Sequence, residues 1–412
     1  MPRHMTEDSP GRLAGSSMNI WRSLRGLPRD IWVLSIATLV NRVGTMVLPF
    51  LVLYLTRELG FSAPRAGLIL AVYGVGSILA APLAGRLSDR IGPLPIMRWS
   101  LVVTGGLLLV FPFAKGFAAV AGITLLWAVV SESFRPANLV MIANVVSADL
   151  RKPAFALMRL AINLGTSIGP AAAGFIAALS FKLIFVVDAL TTIAAGLILF
   201  LTPLSTKRHV HDPVDETEGS GSLRQLLVLD DRRYLLFLSA IFLTGFVFFQ
   251  HEGALPLFLV NVLSLSPAFY GMLFTINTVM IVFMEVPLNA ATAHWPHHRA
   301  LAIGAFLFAL GSGALAFASG PAMVVVAIVV WTFGEMMLFP QASAYVAEIA
   351  PPHRRGVYMG AYQLAFNLSF AIAPWAGTVA LVQFGAQPLW IAVFLVGTVS
   401  ALIMMKVSTE TT

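Results

Sequence analysis

Apolar residues run through this chain in long blocks, not in alternating or heptad patterns. Most blocks reach about 20 residues or more, the length at which a helix crosses the roughly 30 Å hydrocarbon layer of a bilayer. Twelve are read, at 30–56, 64–86, 96–114, 118–144, 154–180, 182–203, 233–259, 267–292, 299–319, 322–349, 356–383 and 388–407. Between the sixth and seventh, His209, His211, Asp212, Asp215, Glu216, Glu218 and the Gly219-Ser220-Gly221 turn read as a solvated linker. The expected organisation is a polar N-terminal segment 1–29, a bundle 30–203, a linker 204–232, a second bundle 233–407 and a tail 408–412. The expected fold class is an all-α membrane protein with about twelve transmembrane helices in two pseudo-symmetric six-helix bundles.

Composition agrees with that pattern. Hydrophobic residues make up 58% of the 412 and charged residues only 11%, against about 25% charged in a soluble domain. Such a surplus of apolar surface needs lipid as its solvent. The net charge of +7 does not point to nucleic acid, because the basic residues sit in short gaps between apolar blocks. They alternate: Arg86, Arg90 and Arg98; Arg151 and Lys152; Lys207, Arg208, Arg224, Arg232 and Arg233; Arg299; Arg354 and Arg355 occupy every second gap. The intervening gaps hold only Arg57, Arg65, Lys115 and Lys182. The positive-inside rule then puts both termini and the linker in the cytoplasm, as in an integral protein of a bacterial plasma (inner) membrane. With no cysteine, a thiolate metal site is excluded, and no cofactor, metal or Walker-type phosphate loop is expected.

The halves resemble each other. An offset of 204 residues pairs Gly67 with Gly271, Arg151 with Arg355, Asn163 with Asn367 and Pro170 with Pro374. Matches of Pro, Gly, Asn and Arg indicate a parallel internal repeat, the build of carriers that rock one half against the other.

Two motifs carry a family resemblance. Gly85-Arg86-Leu87-Ser88-Asp89-Arg90-Ile91-Gly92, read as the loop between spans 2 and 3, is similar to the G-x-L-[AS]-D-R-x-G signature of the major facilitator superfamily. In span 5, Gly165, Gly169, Pro170 and Gly174 resemble the glycine–proline signature of drug/proton antiporters in that superfamily; Gly44 and Pro49 of span 1 add a weaker likeness. The resemblance covers essentially the whole chain. It implies that Gly85, Asp89, Arg90 and Gly92 form a latch between the halves in an outward-facing state, and that spans 1, 4, 7 and 10 line a central cavity. Pro93 and Leu94 stand where the family pattern continues with basic residues.

Each of those four spans holds an ionisable residue. Span 1 has Arg42 beside Asn41, span 4 has Glu132 and Arg135 three apart on one face, span 7 has His251 and Glu252, and span 10 has Glu335. A charge at mid-bilayer costs roughly 2.5–3.5 kcal/mol on insertion scales, so such residues mark function by default. The expectation is a proton relay combined with a substrate-binding charge, led by Glu132, Glu335 and Arg42; the alternative is a set of buried salt bridges that only fix packing. Phe242, Phe246, Phe248, Phe249, Trp331, Phe333, Met336, Met337 and Phe339 would line an adaptable apolar hollow around them. Trp99, Trp295, Trp375 and Trp390 suit interfacial anchoring. Arg159 is expected to reach the cytoplasmic surface, Glu285 to pair with it across the halves, Glu348 to be solvated, and Asp188 to be solvated or paired with Lys182.

These features point to a monomeric, alternating-access secondary transporter, a proton-coupled exporter of amphipathic or cationic small molecules. Its partners would be that substrate, protons and membrane lipid. A symporter or exchanger of an organic anion, with Arg42 and Arg135 as the binders, and an intramembrane enzyme or scaffold remain as alternatives.

Overall fold

The computed structural model describes residues 26–147, 150–204, 231–351 and 354–407. The linker residues from Lys207 to Arg224, including His209 and His211, lie outside the described residues, as do the tail 408–412 and most of the segment 1–29. All regular structure among the described residues is helical. Among the described residues, twelve helices are long and apolar enough to cross a membrane. They are α1 Arg29–Arg57, α2 Ala63–Ile91, α3 Pro93–Phe113, α4 Phe117–Val145, α5 Arg151–Leu179 and α6 Phe181–Leu201 in the first half. The second half has α7 Arg232–Val262, α8 Pro267–Thr292, α9 His297–Phe317, α10 Pro321–Ile349, α11 Arg355–Phe384 and α12 Ala386–Lys406.

The expected spans are met within a few residues, with one correction. Gly85 to Ile91 is not a loop but the last two turns of α2. The chain reverses at Gly92, whose φ of +83° only glycine adopts without strain, and Pro93 opens α3 at once.

The three largest apolar clusters among the described residues hold the molecule together. The largest joins both halves at the end remote from the termini, with Phe50, Tyr54, Phe111 and Phe185 on one side and Phe258, Tyr270 and Trp390 on the other. At the end nearer the termini each half has its own core: Ile31, Met97, Ile142 and Leu199 in the first, Tyr234, Phe237, Tyr345 and Met404 in the second. Glycines follow the same division. A Cβ on Gly67, Gly74, Gly174 or Gly271 would come within 3.0 Å of backbone in the opposite half, whereas one on Gly85, Gly356 or Gly360 would meet nothing within 4 Å. Small residues thus let α2 close on α11 and α5 on α8 at the remote end. The halves part toward the end that carries the termini, and the interior opens there. Across the gap, Arg159 of α5 pairs with Glu285 of α8, as the sequence suggests.

Three helices are interrupted at mid-depth. Helix α1 stops at Gly44 and resumes at Val47, giving α1a (Arg29–Gly44) and α1b (Val47–Arg57). Helix α4 is interrupted at Ser133, three residues before Pro136, which removes an N–H and crowds the carbonyl of Glu132. Helix α7 leaves regular geometry after Phe248, through a tight turn at Phe249–His251 and a wide turn at Phe258–Val262. The same repeat offset carries Thr45 onto Phe249 and Pro136 onto Pro340, so the break in α1 recurs in α7. The break in α4 does not recur, because α10 runs unbroken through Pro340.

Candidate functional site

Two hollows lie at mid-depth between the halves. The first, about 370 Å³, is lined by Tyr73, Ser77, Glu132, Arg135 and Pro136 of α2 and α4, and by Phe249, Glu252, Gln363, Asn367 and Phe370 of α7 and α11. The second, about 250 Å³, is lined by Asn163 and Thr166 of α5, and by Phe248, His251, Tyr270, Phe274, Asn277, Trp331 and Glu335 of α7, α8 and α10. Opposite Glu132 in the first hollow stands Asn367 of the other half, and opposite Glu335 in the second stands Asn163. Asn163 and Asn367 are related by the repeat offset.

Glu132 and Glu335 each accept a hydrogen bond from a neighbouring helix. The Tyr73 hydroxyl donates to Glu132 Oε1 at 2.9 Å. The Asn277 amide donates to Glu335 Oε2 at 2.7 Å and to the Thr332 hydroxyl at 3.0 Å. Tyr73 and Asn277 are themselves 204 residues apart, and Glu132 and Glu335 are one residue short of that. Neither donor stands out among the charged residues of the sequence. The signal was present, since each is a polar group in the middle of an apolar block, but neither is ionisable.

The charged surroundings differ. Arg42 is half-buried at the end of α1a, its Nε makes no hydrogen bond among the described residues, and its charge acts on Glu132, Arg135 and Tyr73. Arg135 is exposed to the first hollow. Around Glu335 the charged groups that act are His251 and Glu285, and no arginine or lysine is among the described residues that line its hollow. Its walls are aromatic instead: Phe248 stacks on Trp331 at 5.6 Å, and His251 lies 5.9 Å from both Phe274 and Trp331, centroid to centroid.

The irregular turn of α7 divides the hollows. Phe248 and His251 face the second, Phe249 and Glu252 the first. His251 Nε2 lies 3.3 Å from Glu252 Oε1, and His251 Nδ1 lies 2.6 Å from the carbonyl of Phe248. The Tyr270 hydroxyl donates to the carbonyl of His251 at 2.7 Å and fixes the turn.

The structure gathers the expected charges into two groups rather than one. Arg42, Glu132, Arg135 and Glu252 share the first hollow or its wall, and Glu335 and His251 the second. Asn41 faces α6, where its Oδ1 lies 3.3 Å from the Thr192 hydroxyl. Asp188 is neither solvated nor paired with Lys182: it is buried, and its Oδ2 accepts from the N–H groups of Met46 and Val47 at 3.0 Å each. Glu348 is exposed, as expected, and meets His297 at 2.9 Å. Trp390 is no interfacial anchor; it is buried in the core shared by both halves. Gly165 and Gly169 pack on α1 at Arg42 and Val43, and Gly174 on Ala268 of α8. Pro170 presents its carbonyl to Gly271. Asp89 and Arg90 are exposed at the open end, near the close of α2. Arg98 donates to the carbonyl of Leu199 at 2.8 Å, near the end of α6.

Comparison with known proteins places this geometry in context. The sequence model of the Major Facilitator Superfamily matches residues 34–266 and 251–409. The "Uncharacterized MFS-type transporter YqjV" of Bacillus subtilis is 26% identical, over 91% of each chain. The "Na(+), Li(+), K(+)/H(+) antiporter" of Planococcus maritimus is 25% identical, over 81% of this chain and 85% of its own. The "Quinolone resistance protein NorA" of Staphylococcus aureus (strain N315) is 24% identical, over 48% of this chain and 49% of its own. Among solved structures, a POT family transporter in complex with 5-aminolevulinic acid has a TM-score of 0.74 at 16% identity and covers 93% of this chain and 98% of its own.

Proposed function

Because this chain belongs to the major facilitator superfamily, and is therefore a membrane-embedded secondary transporter, we propose that it exchanges protons for a cationic or amphipathic small molecule by alternating access. One observation carries the reading. Glu335 sits at mid-depth in an aromatic hollow, held by Asn277, with no arginine or lysine among the described residues that line the hollow. An uncompensated carboxylate in a low-dielectric cavity is costly. Either a proton or a cation relieves that cost, but not both at once, and mutual exclusion at one site is what couples two opposed fluxes. The faces of Phe248, Phe274 and Trp331 add cation–π attraction and adaptable apolar contact.

The first hollow serves as the proton's way to the open end. Glu252 and His251 touch across the turn of α7, so a proton taken up at one side of that wall can be passed to the other. Acceptors beside both ring nitrogens suit a histidine that takes up and releases a proton. Arg42 and Arg135 hold Glu132 as a fixed counter-charge. With the basic gaps in the cytoplasm, as expected of a monomer in a bacterial inner membrane, the conformation is inward-facing. The exposed Asp89 and Arg90 are then a latch in its released state. The antiporter and NorA relatives favour export over uptake.

A second reading has its own observation: Arg135 is exposed in the larger hollow with Arg42 behind it, an arrangement that would hold an organic anion. The test is transport in proteoliposomes under imposed pH gradients of both signs, with a lipophilic cation, Na⁺ and an organic acid as substrates. Cation accumulation in an acidic lumen supports the proposal. Organic-acid uptake driven by a proton gradient, without cation movement, replaces it with the second reading.

A further inference from the structure

The break in α1 is held from outside its own helix. Met46 and Val47 open α1b, and their N–H groups both donate to Oδ2 of Asp188 in α6, at 3.0 Å each. The other oxygen of Asp188 accepts from the Thr192 hydroxyl at 3.2 Å. Asp188 is 4% exposed and lies seven residues into α6, roughly 10 Å along the helix at 1.5 Å per residue. The groups that offset its charge are these donors at the positive end of α1b rather than a basic side chain. Around it the joint is packed to contact. A Cβ on Gly44 would sit 1.8 Å from the Thr191 hydroxyl, and a Cβ on Gly165 would sit 2.4 Å from Cβ of Arg42. Arg42 lies in the last turn of α1a. Where α1a ends therefore fixes where its guanidinium starts.

We propose that Asp188 is a positioning residue: it fixes the break in α1 and thereby aims Arg42 at Glu132. This rests on the reading that Arg42 and Glu132 belong to the transport site. The chain has no cysteine, so spin labels at Ile36→Cys and Glu58→Cys report the angle between α1a and α1b without substrate. Asp188→Leu removes the acceptor for both N–H groups. It is expected to shift or broaden the label distance and to lower turnover at least about tenfold, with KM within about twofold, as loss of hydrogen bonds to a charged group implies. Asp188→Asn keeps an acceptor oxygen and restores the distance and most of the turnover. On an Arg42→Lys background, Asp188→Leu adds less than about a twofold further loss, because both changes act through one group.

A native label distance in Asp188→Leu overturns the proposal, and so do losses that multiply in the double variant. If Asp188→Leu does not fold, Asp188→Asn decides: its loss of turnover vanishes on the Arg42→Lys background, and an equal loss on both backgrounds refutes the inference. Failure of the underlying reading looks different. In that case Arg42→Lys and Glu132→Gln transport normally while the label distance still responds to Asp188.

Discussion

The two glutamate sites are copies in position and opposites in surroundings. Tyr73 donates to Glu132 as Asn277 donates to Glu335, helix 2 to helix 4 in one half and helix 8 to helix 10 in the other. Duplication supplied that frame. What differs is the company. Glu132 has two arginines acting near it, in a hollow that also takes in Glu252. Glu335 has aromatic rings and a histidine. Equivalent carboxylates can thus hold different roles: a charge already balanced by protein has no need of a ligand, and one without such balance does.

The breaks in α1 and α7 make the same point. In α1 a carboxylate from α6 takes up the freed N–H groups. At the equivalent place in α7 the turn is held by its own side chains and by α8: Gln250 donates back to the carbonyl of Phe246 at 3.2 Å and across to that of Ala373 at 3.1 Å, and Tyr270 takes the carbonyl of His251. Each joint is tied within its own half, the first to α6 and the second to α8 and α11. The α7 turn also carries His251 and Glu252, so the second joint is the one placed to move with the chemistry.

The sharpest way to break this comparison is to neutralise each glutamate in turn. Glu335→Gln should abolish pH-driven cation transport, a loss of roughly a hundredfold or more as for removal of a proton-transfer group, with the protein still inserted and monodisperse; undiminished transport in proteoliposomes removes Glu335 from the mechanism. Glu132→Gln leaves Arg42 and Arg135 without their counter-charge. Its expected cost is about tenfold in rate, of the order of a weakened hydrogen bond from Tyr73 to a charged carboxylate, and a loss equal to that of Glu335→Gln would mean the sites are not distinct. Asn277→Ala removes the donor to Glu335 while keeping the carboxylate, for a loss of about fivefold from a single hydrogen bond, read as a change in cation KM. Gly169→Ala brings a Cβ to 2.8 Å from the carbonyl of Val43; overpacking of about 1–3 kcal/mol should lower the thermal midpoint in detergent. The smallest effect belongs to Arg159→Gln. Arg159 is 60% exposed, and pairs of that kind contribute about 0–1 kcal/mol, so transport should stay within about twofold.

The architecture was legible because its cause is local. A block of apolar residues reports its solvent directly, and positive charge in alternate gaps reports orientation, so twelve spans and two related halves could be read without knowing any contact. Ionisable residues at mid-span stood out for the same reason, as their expense in lipid does not depend on which neighbour they meet. Partners were not legible. Nothing in the sequence brings Asp188 to the N–H groups of Met46 and Val47, well over a hundred residues away, or separates Glu132 from Glu335 by a turn of α7. Tyr73 and Asn277 passed unnoticed because an uncharged polar group can be satisfied in many ways, and only packing selects one. The sequence alone determined which groups are out of place in a membrane. The tertiary structure decided which of them balance each other, because that depends on distances of a few ångströms between helices far apart in the chain.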